Sequence, residues 1–496
     1  MARSAPHEGG AAAFLTTRAA DLALFLAAGA ALAGGDLTLE GLATLDTPYG
    51  GIVAAGLVVA AVGKSAQLPL SGWLSRAMLG PSAVSALLHS ATMVAAGGYL
   101  LLRVEPLLAA HPAVAAAVVA VGLVTGVVLG VVAVVQSDLK QLLAASTCAQ
   151  VSVVVVAAGV GAVAGGVTHL MAHAAVKAAL FLVAGLWLTS TGTRRLDELR
   201  GIARRFPVVG ALATLAALTL AGLPPLPLWV TKDLVLAAVT GDAQEPVPAV
   251  AVGLLVVTVL SGAYGGRLVA VIWSGPTSTV RASPRAPSAV GSLVVAALVV
   301  ASLATLALGV PSLESAWVRW VAGDGPAPEP VWMAVSAAAV ALGVALGAAG
   351  AQRQPARMTE RAASGWFGLV GLLDVVAAAA TPVAQAAARL DDAAHDRLVA
   401  GVAPTARSLA TVLARVDDGT HRWVVAASGP AVRALGVRVA TADTRGVHGV
   451  VLGVGRALRS LGAQARRPQT GLLHQYYFQL AAGAALLLAL LLVVPS

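Results

Sequence analysis

Three titratable residues recur at four-residue spacing within one long apolar segment. His169, His173 and Lys177 occupy positions i, i+4 and i+8 between residues 164 and 189. At about 100° per residue, this spacing predicts that they share a stripe about 80° wide on one helix face. Imidazoles exchange protons in the physiological pH range, and water along such a face would complete a path. The pattern favours a proton relay over unrelated core residues.

Charged residues also lie beside helix breakers in two other apolar segments. Lys64 precedes Pro69, and Lys232 and Asp233 follow the pair of prolines at 224 and 225. A charge within hydrocarbon costs roughly 2.5–3.5 kcal/mol or more, so each needs a functional or structural reason. Paired broken helices indicate an ion site near the membrane midplane. The alternative is that these lysines extend to the membrane interface.

Five further polar residues lie in or at the ends of apolar segments. Arg18 and Asp21 are spaced i, i+3, and Asp138 and Lys140 begin another segment in the same way. We expect them to form ion pairs that modulate a nearby lysine, and simple helix-end pairs are the alternative. His89 stands alone, so a buried core histidine is as good an interpretation as a proton carrier.

The elements that hold these residues must be membrane-spanning helices. The chain has 496 residues, of which 58% are hydrophobic and 11% are charged. Soluble domains average about 45–50% apolar and about 25% charged residues. Apolar runs able to cross about 30 Å of hydrocarbon predict an all-α integral membrane protein with about eleven transmembrane helices, two of them broken. The expected spans are 13–34, 50–69, 82–102, 113–135, 139–160, 164–189, 208–239, 249–273, 288–310, 331–350 and 471–494.

Loop charge orients the predicted bundle. The net charge is +9, and arginines concentrate in alternate loops and in residues 353–467. The positive-inside rule therefore predicts a multi-pass protein of the cell membrane, with its N-terminus cytoplasmic and its C-terminus outside. The basic balance is explained by topology and lipid contact, so we expect no nucleic-acid partner. Residues 351–470 alternate apolar and basic positions, which predicts an amphipathic lateral segment along the membrane surface.

Two short motifs resemble binding sites and fail on inspection. GKS at 63–65 lacks the first glycine of a phosphate-binding loop, because that position is Val58. HLMAH at 169–173 has the spacing of a zinc site without the required glutamate. The single cysteine, Cys148, excludes an intrachain disulfide and argues against an iron–sulfur site. We expect no metal or other cofactor and no redox centre in this chain.

Several long motifs resemble the antiporter-like subunits of respiratory complex I. They are AAAFLTTRAADLALF, GKSAQLPLSGWLSRAMLGPSAVSALLHSATMVAAGGYLLLR, SDLKQLLAASTCAQ, THLMAHAAVKAALFLVAG and LAGLPPLPLWVTKD. The lateral segment followed by QTGLLHQYYFQLAAGAALLLALLLVV is similar to the end of the L-type subunits of NADH-quinone oxidoreductase. The resemblance implies a proton-translocating subunit that contains no redox centre. It implies membrane subunits of complex I as partners, with NADH, FMN, iron–sulfur clusters and quinone bound elsewhere in the complex.

The resemblance also assigns roles and repeats. It implies that Lys64 is the central lysine, that Lys232 faces the outlet, and that a connecting relay runs between them through the residues His89, His169, His173 and Lys177. Residues 1–110 would form a partial first antiporter-like repeat, 111–273 a complete second repeat, 274–350 two further spans, 351–470 the lateral segment and 471–496 the last span.

The front of the chain departs from the family pattern. Family members have about five more helices before residue 11, and one carries a glutamate that partners the lysine matched by Lys64. Two hypotheses stand beside the complex I subunit. One is a transporter subunit, either of a cation/proton antiporter or of an inorganic-carbon uptake complex. The other is a scaffold, in which the missing helices leave no working half-channel.

Overall fold

The computed structural model describes residues 5–90, 92–241, 248–275, 287–306, 328–351 and 365–445, together with 456 and 460. Sixteen α-helices occupy these residues: α1 Ala5–Gly34, α2 Tyr49–Lys64, α3 Gly72–Ala77, α4 Ser82–Ser90, α5 Met93–Arg103, α6 Glu105–Ala110, α7 Pro112–Val135, α8 Leu139–Gly159, α9 Val163–Thr191, α10 Ile202–Arg205, α11 Pro207–Ala221, α12 Pro227–Thr240, α13 Pro248–Trp273, α14 Ala289–Ala304, α15 Pro330–Gly350 and α16 Leu369–Arg445. Two 3-10 helices, Gly41–Thr44 and Trp366–Gly368, complete this set.

The lengths and compositions of the helices fit a membrane protein. Within the described ranges, seven spans are long and apolar enough to cross a bilayer, and three more apolar helices have 10–17 residues. The predicted all-α membrane class is confirmed at this level. The predicted number of eleven crossings stays a prediction, and the span at 471–494 lies outside the described residues.

One predicted span contains a non-helical residue at a position that no proline marks. In the span at 82–102, Thr92 has φ −120° and ψ −132°, which are not helical, and α5 begins directly after it at Met93. Two hydroxyls at this position donate back to α4 carbonyls: Ser90 Oγ to Ala86 O (2.6 Å) and Thr92 Oγ1 to Leu87 O (3.1 Å). Such bonds compete with the backbone ladder and favour a helix end.

α8 and α9 lie at the centre of the packed helices. Nearly all of α8 is buried, and α9 is buried over most of its length. α8 packs against α5, α7 and α9, and α9 packs against α4, α11, α12 and α14. The titratable residues of α9 therefore face other helices rather than the periphery.

Small residues allow the closest helix pair to form. α13 and α15 cross where Gly262 lies against Gly343 and where Gly347 lies against Ala263. A Cβ on Gly347 would lie 1.9 Å from the Ala263 carbonyl oxygen, so only glycine fits. Small residues at crossings are the usual basis of helix packing in lipid.

The chain divides into two compact units, Met1–Leu373 with Tyr476–Ser496, and Asp374–Gln475. Apart from residues 456 and 460, the described part of the second unit belongs to α16, which has 77 residues. A straight helix of that size is about 115 Å long. Its apolar side chains Leu390, Leu398, Leu409 and Leu435 are exposed, as an amphipathic lateral helix requires. Its position along the membrane surface stays a prediction.

Candidate functional site

The first break follows Lys64, the last residue of α2. The Lys64 Nζ lies 2.6 Å from Asp21 Oδ1 on α1, and Arg18 Nη1 lies 3.4 Å from Asp21 Oδ2. The Asp21 side chain is 10% exposed, whereas that of Lys64 is 25% exposed and that of Arg18 is 66% exposed. The predicted Arg18–Asp21 pair is present, and the closer partner of this carboxylate is the lysine.

Local side chains satisfy the backbone at the first break. Pro69, whose bond to Leu68 is cis, has no N–H to offer the Ser65 carbonyl, and Gln67 Nε2 donates to that oxygen instead (2.9 Å). The Leu68 N–H donates to Thr125 Oγ1 on α7 (3.0 Å). Protein groups thus replace the helix ladder, as an interruption at membrane depth requires.

His89 lies one residue before the end of α4 and is fully buried. Its ring stacks on Phe181 of α9, with 4.4 Å between ring centroids. Neither ring nitrogen has a hydrogen-bond partner among the described residues. Because buried polar atoms are normally paired, two unpartnered nitrogens are unusual for a purely structural histidine.

The three residues predicted on one face of α9 are all buried and lie in sequence along it. Lys177 Nζ donates to Leu143 O (2.9 Å) and to Ser146 Oγ (2.5 Å), both on α8. His173 and His169 are nearly parallel, with 6.4 Å between ring centroids and 9° between ring planes. The Nε2 atoms of both imidazoles lack a hydrogen-bond partner within the described ranges.

The imidazole of His169 connects α9 to α12. Its Nδ1 lies 2.8 Å from Thr231 Oγ1, and Thr231 precedes Lys232 directly. His173 interacts electrostatically with Lys177, His169 and Lys232. The α9 residues therefore bridge the region of α8 and the region of α12.

The second break separates α11 from α12 and contains the cis Pro224–Pro225 bond. Gly222 at its start has φ +81°, a left-handed conformation that favours glycine. A Cβ at this position would lie 3.3 Å from the Lys232 Nζ. Gly222 thus gives the turn its shape and leaves room for the lysine.

Two carbonyls at the end of α11 accept from side chains of other helices. Gln150 Nε2 on α8 donates to Leu220 O (3.0 Å), and Ser261 Oγ on α13 donates to Ala221 O (2.8 Å). The Ser261 hydroxyl also accepts from Lys232 Nζ at 2.6 Å. Lys232 is 6% exposed and has no carboxylate within ion-pair distance among the described residues.

Asp233 is buried beside Lys232 without the pairing that Asp21 has. Among the described residues, neither of its carboxylate oxygens has a hydrogen-bond partner. Ser336 of α15 is a polar neighbour of the carboxylate, but its hydroxyl donates to Met333 O (3.1 Å). A buried carboxylate with free lone pairs can take up a proton.

The expected pairing at the start of α8 is corrected by the structure. Asp138 accepts from the Gln141 N–H as the N-cap (3.0 Å), and its partner is Arg194 Nε at 3.3 Å, not Lys140. Lys140 instead donates to the carbonyls of Met78 and Gly80 at 3.1 and 2.6 Å. Residues two apart on a helix point in different directions, which explains the separation.

The structure brings most of the predicted residues together and leaves one connection open. Lys177 interacts electrostatically with His89 as well as with His173. No hydrogen bond within the described part of the chain joins Lys64 to His89. A proton path from Lys64 through His89 to α9 therefore stays a prediction.

Sequence reasoning missed the neutral partners of the lysines. Ser146, Gln150 and Ser261 each bind a lysine or a broken helix and are fully buried. The spacing i, i+4 of Ser146 and Gln150 within an apolar helix was the available signal, because it places both on one face.

Within the described ranges, no cluster of three or more His, Cys, Asp or Glu residues could hold a metal ion. The titratable groups instead follow one another through the bundle, an arrangement that suits proton exchange.

Comparisons with known proteins identify the family of the chain. The family model "NADH:quinone oxidoreductase/Mrp antiporter, TM" matches residues 2–260, a little more than half of the chain. NADH-ubiquinone oxidoreductase chain 5 of Paracentrotus lividus is 36% identical over 230 residues, which are 46% of this chain and 36% of that protein. Chain 5 of Pelomedusa subrufa is 31% identical over 276 residues, 54% of this chain and 45% of that protein. The chain spans less than half the length of these relatives.

Two solved structures share the fold. The Mrp complex from Dietzia sp. DQ12-45-1b aligns with a TM-score of 0.64 and 28% identity, covering 82% of this chain and 46% of that chain. Respiratory complex I from Thermus thermophilus aligns with a TM-score of 0.54 and 24% identity, covering 68% and 69%. The second likeness shows the fold alone. With the family match, these findings establish that the chain is a multi-pass membrane protein of the NADH:quinone oxidoreductase/Mrp antiporter transmembrane family.

Proposed function

We propose that the chain is the proton-translocating membrane subunit of an NADH-quinone oxidoreductase. The observation that carries this proposal is the buried series Lys177, His173, His169 and Lys232, in which each member contacts or interacts electrostatically with the next. Four titratable groups in an apolar interior need a function, because desolvation makes each of them costly. The sequence identity of 36% to an NADH-ubiquinone oxidoreductase chain 5 supports an NADH-quinone oxidoreductase as the complex.

Each member of the series can take and release a proton. The ammonium of Lys177 donates to a carbonyl and a hydroxyl, neither of which carries a charge that would hold the proton in place. The imidazoles of His173 and His169 are buried, and the Nε2 atom of each has no hydrogen-bond partner among the described residues. A proton accepted by one ring nitrogen can leave from the other, so a histidine moves a proton without moving itself.

The driving force would come from partner subunits. Redox chemistry of NADH, FMN, iron–sulfur clusters and quinone would take place there, and this chain would respond through the hydration and charge of Lys64, Lys177 and Lys232. The arginines of the loop at 194–205 support a cytoplasmic side for that loop, so protons would enter there and leave on the far side.

The two breaks support a division into antiporter-like repeats. Residues 1–110 contain the break after Lys64, and residues 111–273 contain the break before Lys232. In this proposal the second repeat is complete and the first is partial. Residues 274–350 add two spans, 351–470 form the lateral segment that contacts neighbouring membrane subunits, and 471–496 form the last span.

A second candidate function is cation/proton exchange. The Mrp complex covers more of this chain than complex I does, 82% against 68%, and has the higher TM-score. The buried carboxylate of Asp233, which has no hydrogen-bond partner among the described residues, is a group at which a cation and a proton could compete.

One experiment separates the two functions. Inverted membrane vesicles that contain the full complex are supplied with NADH or with a Na⁺ gradient, and acidification of the lumen is followed by dye quenching. We expect NADH-driven acidification that falls strongly in Lys64→Ala and in Lys232→Ala. Ser190→Ala is the control, because among the described residues its hydroxyl bonds within α9 alone, to Leu186 O.

Acidification that responds to the Na⁺ gradient and not to NADH would favour exchange. Wild-type acidification in both lysine variants would show that the relay assignment is wrong.

A further inference from the structure

The two prolines of the second break leave two particular carbonyls without their helical donors. In a continuous helix Leu220 O would accept from residue 224 and Ala221 O from residue 225, but Pro224 and Pro225 have no N–H. Orphan carbonyls inside a membrane protein must find other donors. These two carbonyls are the ones that Gln150 and Ser261 satisfy.

The donors form one chain of hydrogen bonds with Lys232. Gln150 Nε2 donates both to Leu220 O and to Tyr264 Oη, the latter at 2.5 Å. The Tyr264 phenol is also a hydrogen-bonding neighbour of Ser261. Ser261 Oγ accepts from Lys232 at 2.6 Å and donates its single proton to Ala221 O or, alternatively, to Thr258 O, each at 2.8 Å.

A serine hydroxyl has one proton to donate, and this limits what Ser261 can do. When Lys232 is an ammonium, it donates to Ser261, whose proton satisfies Ala221 O. When Lys232 has passed a proton to a base such as the His169 imidazole, its amine nitrogen gains a lone pair. Ser261 can then donate to the amine, and Ala221 O loses its donor.

We propose that the Ser261 hydroxyl couples the charge of Lys232 to the closure of the α11–α12 break. Charged Lys232 leaves the Ser261 proton on Ala221 O and the break closed. Neutral Lys232 takes that proton and loosens the break. This inference rests on the proposed function, because the coupling would be useful only in a proton conduit. There, the path beside Lys232 must open or close when the lysine loses its proton. Ser261 acts through Lys232 and is a positioning residue.

The groups around Lys232 allow its charge to change. The titratable groups facing it are Asp233 on its own helix, His169 and His173 on α9, and Tyr264 on α13. The groups near this site on α8, α11 and α15 are neutral: Gln150 binds the break at Leu220 O, Gly222 lies against Lys232, and Ser336 lies beside Asp233.

Hydrogen–deuterium exchange on the purified full-length chain tests the coupling without an activity assay. Exchange of the backbone amides of Gly222, Leu223 and Leu226 is measured at about pH 6 and about pH 9. Each rate is divided by that of α8 amides at the same pH, which cancels the intrinsic effect of pH. In wild type and in Ser261→Thr, we expect the ratio to rise several-fold at high pH, because the break loosens. Lys232→Met should remove the dependence on pH, and Ser261→Ala should give a high ratio at both values.

Two further variants separate the coupling from a general loss of folding. Ser302→Ala removes another buried hydroxyl that donates to a neighbouring helix, here to Ala172 O, and should keep the wild-type ratio. Ser261→Cys should fold if Ser261→Ala does not, and its weak donor should raise the ratio at the lower pH. The coupling is overturned if Ser261→Ala or Ser261→Cys keeps the wild-type response to pH. The vesicle assay decides the proposed function separately, because it can fail while the exchange response persists.

Discussion

The two broken helices solve the same problem with different partners. At the first, Gln67 of the broken segment itself satisfies the carbonyl that Pro69 leaves free, and Lys64 is paired with the carboxylate of Asp21. At the second, the donors come from α8 and α13, and Lys232 shares one of them, Ser261. An ion pair favours one charge state of a lysine. A hydroxyl can accept from an ammonium or donate to an amine, so only the second break can respond to deprotonation with a new hydrogen bond.

The largest effect should come from breaking the ion pair of the first site. Asp21→Asn leaves Lys64 without its carboxylate, and we expect it to lower the free energy of unfolding in detergent by about 2–4 kcal/mol, somewhat less than for a fully buried pair. The double variant Lys232→Met/Asp233→Asn removes two buried charged groups and should leave stability unchanged or raised. Equal destabilisation of both proteins would remove the contrast between the sites.

The two glutamines should differ in what their removal affects. Gln67→Met and Gln150→Met each leave a buried carbonyl without its side-chain donor, at a cost of about 1–3 kcal/mol. Only Gln150→Met should also lower proton translocation in vesicles, because Gln150 is linked through Tyr264 to Ser261. A matching loss of translocation in Gln67→Met would show that the breaks are equivalent.

Gly222 tests how tightly the second turn is built around its lysine. Gly222→Ala places a side chain at φ +81° and within 3.3 Å of Lys232 Nζ, and we expect a loss of about 1–2 kcal/mol. The control Gly29→Ala lies within α1 and meets no atom within 4 Å, so it should be neutral or slightly stabilising. Thermal unfolding of the two variants side by side measures the difference, and a stable Gly222→Ala protein would contradict the account of this turn.

The smallest effect should come from a carboxylate that belongs to neither site. Glu105 begins α6 between two spans, and partial burial raises its pKa above the ordinary value. A raised folded-state pKa means that its contribution to stability is present at acid pH and is lost as the pH rises through that value. Glu105→Gln should therefore raise the Tm slightly at about pH 8 and leave it unchanged at about pH 4. The opposite dependence on pH would show that the carboxylate is stabilised by its surroundings.

The charged residues of the site could be predicted from the sequence because charge in an apolar run is conspicuous. Spacing alone placed His169, His173 and Lys177 on one face, and the prolines located both breaks. The identity of the partners could not be predicted in the same way. Asp21 was assigned to Arg18 because the two are close in sequence, whereas its nearer partner Lys64 comes from another helix.

Neutral partners were harder to find for a physical reason. Serine and threonine are common in membrane helices, so nothing in the sequence distinguishes Ser261 from Ser302. Their roles depend on which carbonyl or lysine lies opposite, which only packing decides. The non-helical conformation of Thr92 was missed for the same reason, since hydroxyls bonded back to α4 are weaker signals than proline.

The most direct test of the relay is Lys177, which lies between the two breaks and binds only neutral groups within the described residues. Proton translocation per NADH oxidised should be measured in vesicles carrying Lys177→Met, which keeps the length of the side chain and removes its charge, with Ser190→Ala on the same helix as control. We expect translocation near the level of vesicles without the chain for Lys177→Met and wild-type values for Ser190→Ala. Wild-type translocation in Lys177→Met would show that protons do not pass through α9.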